Sequence, residues 1–158
     1  VSLTRVSFSS VTTADFDKDG DTDILLTGSS SSGLISKIYS NNGSGGFSEN
    51  TNISLTGVSN SSVTTADFDK DGDTDILLTG YSSSGRISKI YSNNGSGGFS
   101  ENTNVSLTSV DSSSVTTADF DSDGYTDILL TGYSSSGRIR AVSFSKIAIA
   151  KPLIWGKS

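Results

Sequence analysis

The 158-residue chain contains no cysteine, no histidine, no methionine and a single proline. Without cysteine there is no disulfide framework, and the redox compartment is not legible from thiols. Zinc, copper and haem sites lose their commonest ligands, and neither a Ser-His-Asp nor a Cys-His nucleophilic set can be assembled. Apolar residues make up only 32% of the chain, and no apolar run approaches the roughly 18 residues that span a bilayer, so membrane insertion is not expected. The opening Val1-Ser2-Leu3-Thr4 shows neither an initiator methionine nor a leader, and reads as a mature product or a piece of something longer.

Serine and glycine fill the space that apolar residues leave. Ser, Thr, Asn and Gly are weak helix formers, so short strands and turns suit this composition better than a helix bundle. The order of the residues is more telling than their proportions. Asp15, Asp67 and Asp119 lie 52 residues apart, and everything around them follows the same period. The repeat units run 1–52, 53–104 and 105–158, treated together as one repeat domain, with the third diverging after about residue 139. Units one and two differ at five aligned positions only: Val1/Ile53, Arg5/Gly57, Phe8/Asn60, Ser29/Tyr81 and Leu34/Arg86.

Within a unit the pattern is strand and turn throughout. Ser62 to Phe68 is β-branched and half alternating, and Thr74 to Thr79 carries the short apolar run of a buried central strand. After a Ser-Gly turn, Ile87 to Tyr91 predicts a third strand. The Asn-Gly turn of 93–98 follows, and Phe99 to Leu107 predicts a fourth strand leading into the next unit. Four antiparallel strands per unit is the rhythm of propeller blades, whereas β-solenoid repeats are usually about half this length or less. The fold expected is therefore all-β, three tandem blades of four strands. The divergent end, from Arg140 onward, is more apolar and holds most of a basic cluster, five of the eleven Lys and Arg residues falling between Arg138 and Lys157. A closing strand, a cap and sequence from outside the array all remain open for it.

The formal charge of −6 argues against a nucleic-acid partner. Of the 17 acidic residues, 14 sit in three nine-residue stretches, five each at 15–23 and 67–75 and four at 119–127. Such packing costs repulsion that a cation relieves. Each stretch reads Asp-x-Asp-x-Asp-Gly-x-x-Asp: Asp15, Asp17, Asp19, Asp21 and Asp23 in unit one, Asp67, Asp69, Asp71, Asp73 and Asp75 in unit two, and Asp119, Asp121, Asp123, Tyr125 and Asp127 in unit three. Carboxylates at positions 1, 3 and 5 of a tight loop converge on one point, glycine at position 6 permits the bend, and position 9 closes the cage. Position 7 is expected to offer its backbone carbonyl, which explains why Tyr125 can replace Asp21 and Asp73. Hard Ca²⁺, with six to eight oxygens, fits this donor set better than Mg²⁺, at about one ion per repeat. Three such ions balance the formal charge. An EF-hand is excluded because position 12 is Leu26, Leu78 or Leu130 instead of glutamate. The plainer alternative makes the same Asp and Gly residues solvated turn formers.

Taken together, Ala-Asp-Phe-Asp-x-Asp-Gly-x-x-Asp-Ile-Leu-Leu, then Lys-Ile-Tyr-Ser-Asn-Asn-Gly and Gly-Gly-Phe-Ser, resembles the FG-GAP and VCBS-type repeats of integrin α chains, bacterial surface proteins and some fungal lectins. The likeness covers units one and two and the third to about Ile139. It implies calcium-binding propeller blades with the ion between the first two strands of each, and a secreted or cell-surface setting. Millimolar calcium there suits sites of about 10⁻⁴–10⁻³ M. Three blades are fewer than the four to eight of a closed ring, so the chain is expected to self-associate, two copies making six blades, or to belong to a longer array.

Two kinds of function fit: a scaffold or adhesion surface stiffened by calcium, or a lectin that binds glycans between blades. For the lectin, Tyr39, Tyr91, Tyr81 and Tyr133 are candidate platforms, against a reading of them as strand packing. Enzymatic chemistry is not expected, because the clustered carboxylates are absorbed by the loops and Glu49 and Glu101 stand alone.

Overall fold

The computed structural model describes residues 2–139; the expectations for residues 140–158 lie outside them. Every element among the described residues is a strand. The first sheet is an antiparallel meander of β1 (Ser7–Ala14), β2 (Asp23–Ser30), β3 (Gly33–Asn41) and β4 (Phe47–Glu49), in that spatial order. The second repeats it with β5 (Ser59–Ala66), β6 (Asp75–Ser82), β7 (Gly85–Asn93) and β8 (Phe99–Glu101). The third contains β9 (Asp111–Ala118), β10 (Asp127–Ser134) and β11 (Gly137–Ile139). These are propeller blades, with β1 lying against β5 and β5 against β9.

The central strand carries the Ile-Leu-Leu run because it is paired along nearly its whole length on both edges, whereas the third strand meets the fourth over three residues only. In β6, Ile76, Leu77 and Leu78 are all fully buried. Register is pinned by a bulge in each first strand. The β5–β6 pairing slips between Ser59 and Ser62, and Asn60 adopts φ +46° there. Opposite the bulge stands Gly80 at φ +149°, where an added Cβ would lie 2.9 Å from the Ser59 carbonyl oxygen. The glycine of the Leu-Leu-Thr-Gly run is thus required by a close approach of backbone.

One sequence expectation is corrected. The fourth strand of unit two spans three residues, Phe99–Glu101, and stops well short of Leu107. It pairs only with the last three residues of β7. The Asn102 side chain then accepts the Asn104 amide at 3.1 Å, turning the chain out of the sheet. The apolar residues beyond it, Val105 and Leu107, pack against the core between blades two and three. Their alternation imitates a strand, but it is the pattern of a crossing segment that drops side chains into that core.

The core lies between the blades. Phe16, from the loop after β1, is 1% exposed and packs with Val58, Val63, Ile76 and Leu78 of the second blade. Its ring meets Phe99 edge to face, centroids 5.7 Å apart. Phe68 does the same one blade on, against Val110, Ile128 and Leu130. Polar ties accompany this packing: Thr27 Oγ1 to Ser61 Oγ and Thr79 Oγ1 to Ser113 Oγ, both 2.7 Å.

Candidate metal centre

Each aspartate loop joins the first strand of a blade to its central strand. In the first, the Gly20 amide donates to Asp15 Oδ2 at 3.0 Å and the Asp21 amide to Asp19 Oδ1 at 2.8 Å. The loop turns through two left-handed residues, Lys18 at φ +59° and Gly20 at φ +94°. Lys70 with Gly72, and Ser122 with Gly124, repeat that pair. Glycine at position 6 was legible as a bend. The left-handed residue at position 4, where a side chain must be accommodated, was not.

The fold brings three carboxylates together in each loop, with oxygens within 4.8 Å of one another. They are Asp15, Asp17 and Asp19, then Asp67, Asp69 and Asp71, then Asp119, Asp121 and Asp127. Like charges at that spacing repel by about 1 kcal/mol per pair in water and about 3.5 kcal/mol at an effective dielectric constant near 20. Amides within the loops donate to some of these carboxylate oxygens, but not to all of them. Asp15 Oδ1 and Asp69 Oδ1 are buried without any hydrogen-bond partner. A buried, unpaired carboxylate oxygen facing other carboxylates is the donor set of a hard cation. Burial raises the Asp69 pKa, with the Asp71 charge adding to the effect. The residues therefore fit a hard cation in donor chemistry and in the closeness of their oxygens.

In units one and two position 9 lies outside the cluster and has a task that the spacing alone does not reveal. Asp23 is fully buried, with Oδ2 accepting the Phe16 amide at 3.1 Å and Oδ1 the Asn41 amide at 2.8 Å. Asp75 holds Phe68 and Asn93 in the same way, at 2.9 and 2.8 Å. The carboxylate clamps the loop entrance to the end of the third strand. Desolvation outweighs these two amides and pushes the Asp75 pKa up to about 6; Asp23 is raised for the same reason. In unit three, Asp127 accepts the Phe120 amide at 2.9 Å and also belongs to the acidic cluster.

Position 7 stands apart from the clusters and faces the preceding blade. Lys18 forms an ion pair with Asp73, and Lys70 sits 3.5 Å above the centroid of the Tyr125 ring. A lysine at position 4 of one loop thus touches position 7 of the next. The Asp73 contact raises the Lys18 pKa. Asn93 adds a further tie, donating Nδ2 to the Phe16 carbonyl at 2.8 Å across the blade boundary. The recurrence of Lys at 18 and 70 and of Asn at 41 and 93 was the available signal.

The tyrosines divide. Tyr39 and Tyr91 are buried, with hydroxyls bonded to Thr4 Oγ1 and Thr56 Oγ1 at 2.6 and 2.7 Å, and serve strand packing. Tyr81 and Tyr133 are exposed. Glu49 and Glu101 pair on the surface with Lys37 and Lys89.

A family model described as an FG-GAP-like repeat matches residues 15–78 and again residues 67–130. Each match opens on the first aspartate of one loop and ends within the central strand of the next blade. No curated protein and no solved structure matches the chain.

Proposed function

The chain belongs to the FG-GAP-like repeat family, and on that premise we propose that it is a calcium-binding β-propeller module that acts outside the cell as a scaffold or adhesion surface. The observation that carries this reading is the pair of unpartnered buried oxygens, Asp15 Oδ1 and Asp69 Oδ1, each inside a three-carboxylate cluster. The ion would be held in each loop by positions 1, 3 and 5, with the position 7 carbonyl and the position 9 carboxylate. That is Asp15, Asp17, Asp19, Asp21 and Asp23 in blade one, Asp67, Asp69, Asp71, Asp73 and Asp75 in blade two, and Asp119, Asp121, Asp123, Tyr125 and Asp127 in blade three.

Bound calcium supplies charge neutralisation and a fixed loop, and no bond-making chemistry. What the chain's own residues gain is position. Phe16 and Phe68 occupy the second place of their loops, so a loop held rigid also holds the ring that fills the neighbouring blade. The proposal that the module is non-catalytic rests on the same assignment, since the clustered carboxylates are committed to metal and to backbone amides. An extracellular setting suits the family and suits sites of millimolar strength.

Calcium titration by calorimetry, with Asp69→Asn as the probe, tests the reading. Binding should weaken by at least about tenfold at one of the sites, a change of ~1.4 kcal/mol, while the wild-type heat is not reproduced by magnesium. Equal heats for wild type and variant would end it. A second reading, carbohydrate binding between blades, is favoured only by the exposure of Tyr81 and Tyr133, 45% and 41%. A glycan array in calcium with no signal removes it.

A further inference from the structure

The two blade boundaries within the chain are built from the same parts. The delivering blade offers the loop phenylalanine, with its carbonyl, and the threonine of its central strand. The receiving blade offers a valine and a serine of its first strand, an isoleucine and a leucine of its central strand, and position 7 of its loop. At the first boundary these receivers are Val63, Ser61, Ile76, Leu78 and Asp73, with Asn93 reaching back to the Phe16 carbonyl.

Blade one carries every one of these receiving residues: Val11, Ser9, Ile24, Leu26, Asp21 and Asn41. Here, however, no blade among the described residues covers them. Val11 is 61% exposed where Val63 is 8% exposed, and Ile24 is only half-buried where Ile76 is fully buried. Asn41 Nδ2 keeps its bond within the blade, to the Thr22 carbonyl at 3.0 Å, but lacks the second, cross-blade bond that Asn93 makes. Isolated apolar residues on a surface need no explanation, but this face is different. In these six receivers it copies the face of blade two, and in its valine, serine, isoleucine and leucine also that of blade three, where Tyr125 takes position 7; the occupant of both faces is visible and is a blade of this sequence.

We propose that a second copy of this chain covers the free face of blade one, its third blade docking there as blade one docks on blade two. The third blade has Phe120 and Thr131 at the positions of Phe16 and Thr27, and Leu129 at that of Leu25. The arithmetic of closure sets the number of copies. Propellers typically close with four to eight blades, and for a chain supplying three, two copies give six while three copies overshoot. Each chain then receives once and delivers once, and no receiving face is left over. One feature of the internal boundary is missing at this new one. Position 4 of the third loop is Ser122 where blades one and two have Lys18 and Lys70, so Asp21 would meet a serine and no cation. This boundary is the weaker one, and the ring opens and closes there.

Sedimentation equilibrium of the full chain in calcium, over a range of concentrations, tests the proposal independently of how many ions are bound. The species expected has twice the 16.3 kDa chain mass. Val11→Asp places a charge on a side chain that is already exposed in the single chain. It should convert the dimer to a folded monomer with unchanged far-ultraviolet circular dichroism. Ser122→Lys restores the lysine that faces position 7 and should tighten the dimer by about two- to fivefold, the scale of an exposed ion pair. A chain that stays monomeric overturns the proposal. So does a dimer indifferent to Val11→Asp, and so does an open series of larger species growing with concentration.

Discussion

The loop phenylalanines are the joints between blades, and truncating them should cost stability in an order that the structure sets. Phe68 is 2% exposed among Leu77, Ile90, Val110, Ile128 and Leu130. Replacing a buried phenylalanine by alanine removes its transfer free energy and leaves a cavity, together about 3–5 kcal/mol. Phe16 is equally buried and has one contact more, the edge-to-face meeting with Phe99. Such a pair adds about 0.5–1.5 kcal/mol beyond burial. Among the described residues Phe68 has no such ring contact. Phe16→Ala should therefore be the more damaging change by that margin. The assay is guanidinium unfolding followed by circular dichroism, in calcium, at one fixed protein concentration so that association contributes equally to each midpoint. An unchanged slope of free energy against denaturant is required before midpoints are compared, because stacked repeats can unfold one at a time. A loss below about 1 kcal/mol for Phe68→Ala, or a larger loss for Phe68→Ala than for Phe16→Ala, would refute the claim that these rings carry the blade boundary.

Two further outcomes follow from the same geometry. Asp75 has its pKa raised to about 6, chiefly by burial, against an ordinary value of 3.8, so the metal-free fold holds that proton more tightly than the unfolded chain does. Its contribution to stability is full below about pH 4 and is lost as pH rises through about 6. In chelator the unfolding midpoint should accordingly fall from pH 4 to 7, and Asp75→Asn should flatten that slope. Added calcium should reverse its sign, since the ion competes with the proton. Gly80→Ala should destabilise the second blade by about 1–3 kcal/mol, measured by thermal unfolding, because the position combines φ +149° with a Cβ site 2.9 Å from the Ser59 carbonyl. A neutral result would mean that the bulge opposite Gly80 is free to relax.

The parts legible from the residues were those written locally and written repeatedly. The 52-residue period, the apolar central strand from Ile76 to Leu78 and the converging Asp67, Asp69 and Asp71 all depend on neighbours within a few positions, and the family match extends over the same segments. The outer strand was overestimated because Val105 and Leu107 alternate like a strand while serving the core between blades. Contacts between blades left no trace beyond the recurrence of Lys18 at Lys70 and of Asn41 at Asn93. Lys18 reads as a solvated loop residue, and its partner Asp73 lies a whole repeat away. Only the stacking of one blade on the next brings position 4 to position 7. The double use of Asp23 and Asp75 was hidden for another reason. A carboxylate at the end of an acidic loop suggests a ligand, and its two backbone donors at Phe16 and Asn41 become visible only when the third strand lies beside it.

Native mass spectrometry from calcium-containing and chelator-containing solutions tests the metal assignment most directly. Three Ca²⁺ per chain, one for each aspartate loop and all removed by chelator with loss of thermal stability, is the result expected. A chain that carries no calcium and melts at the same temperature in both solutions would contradict it, and would leave the aspartate loops as turns.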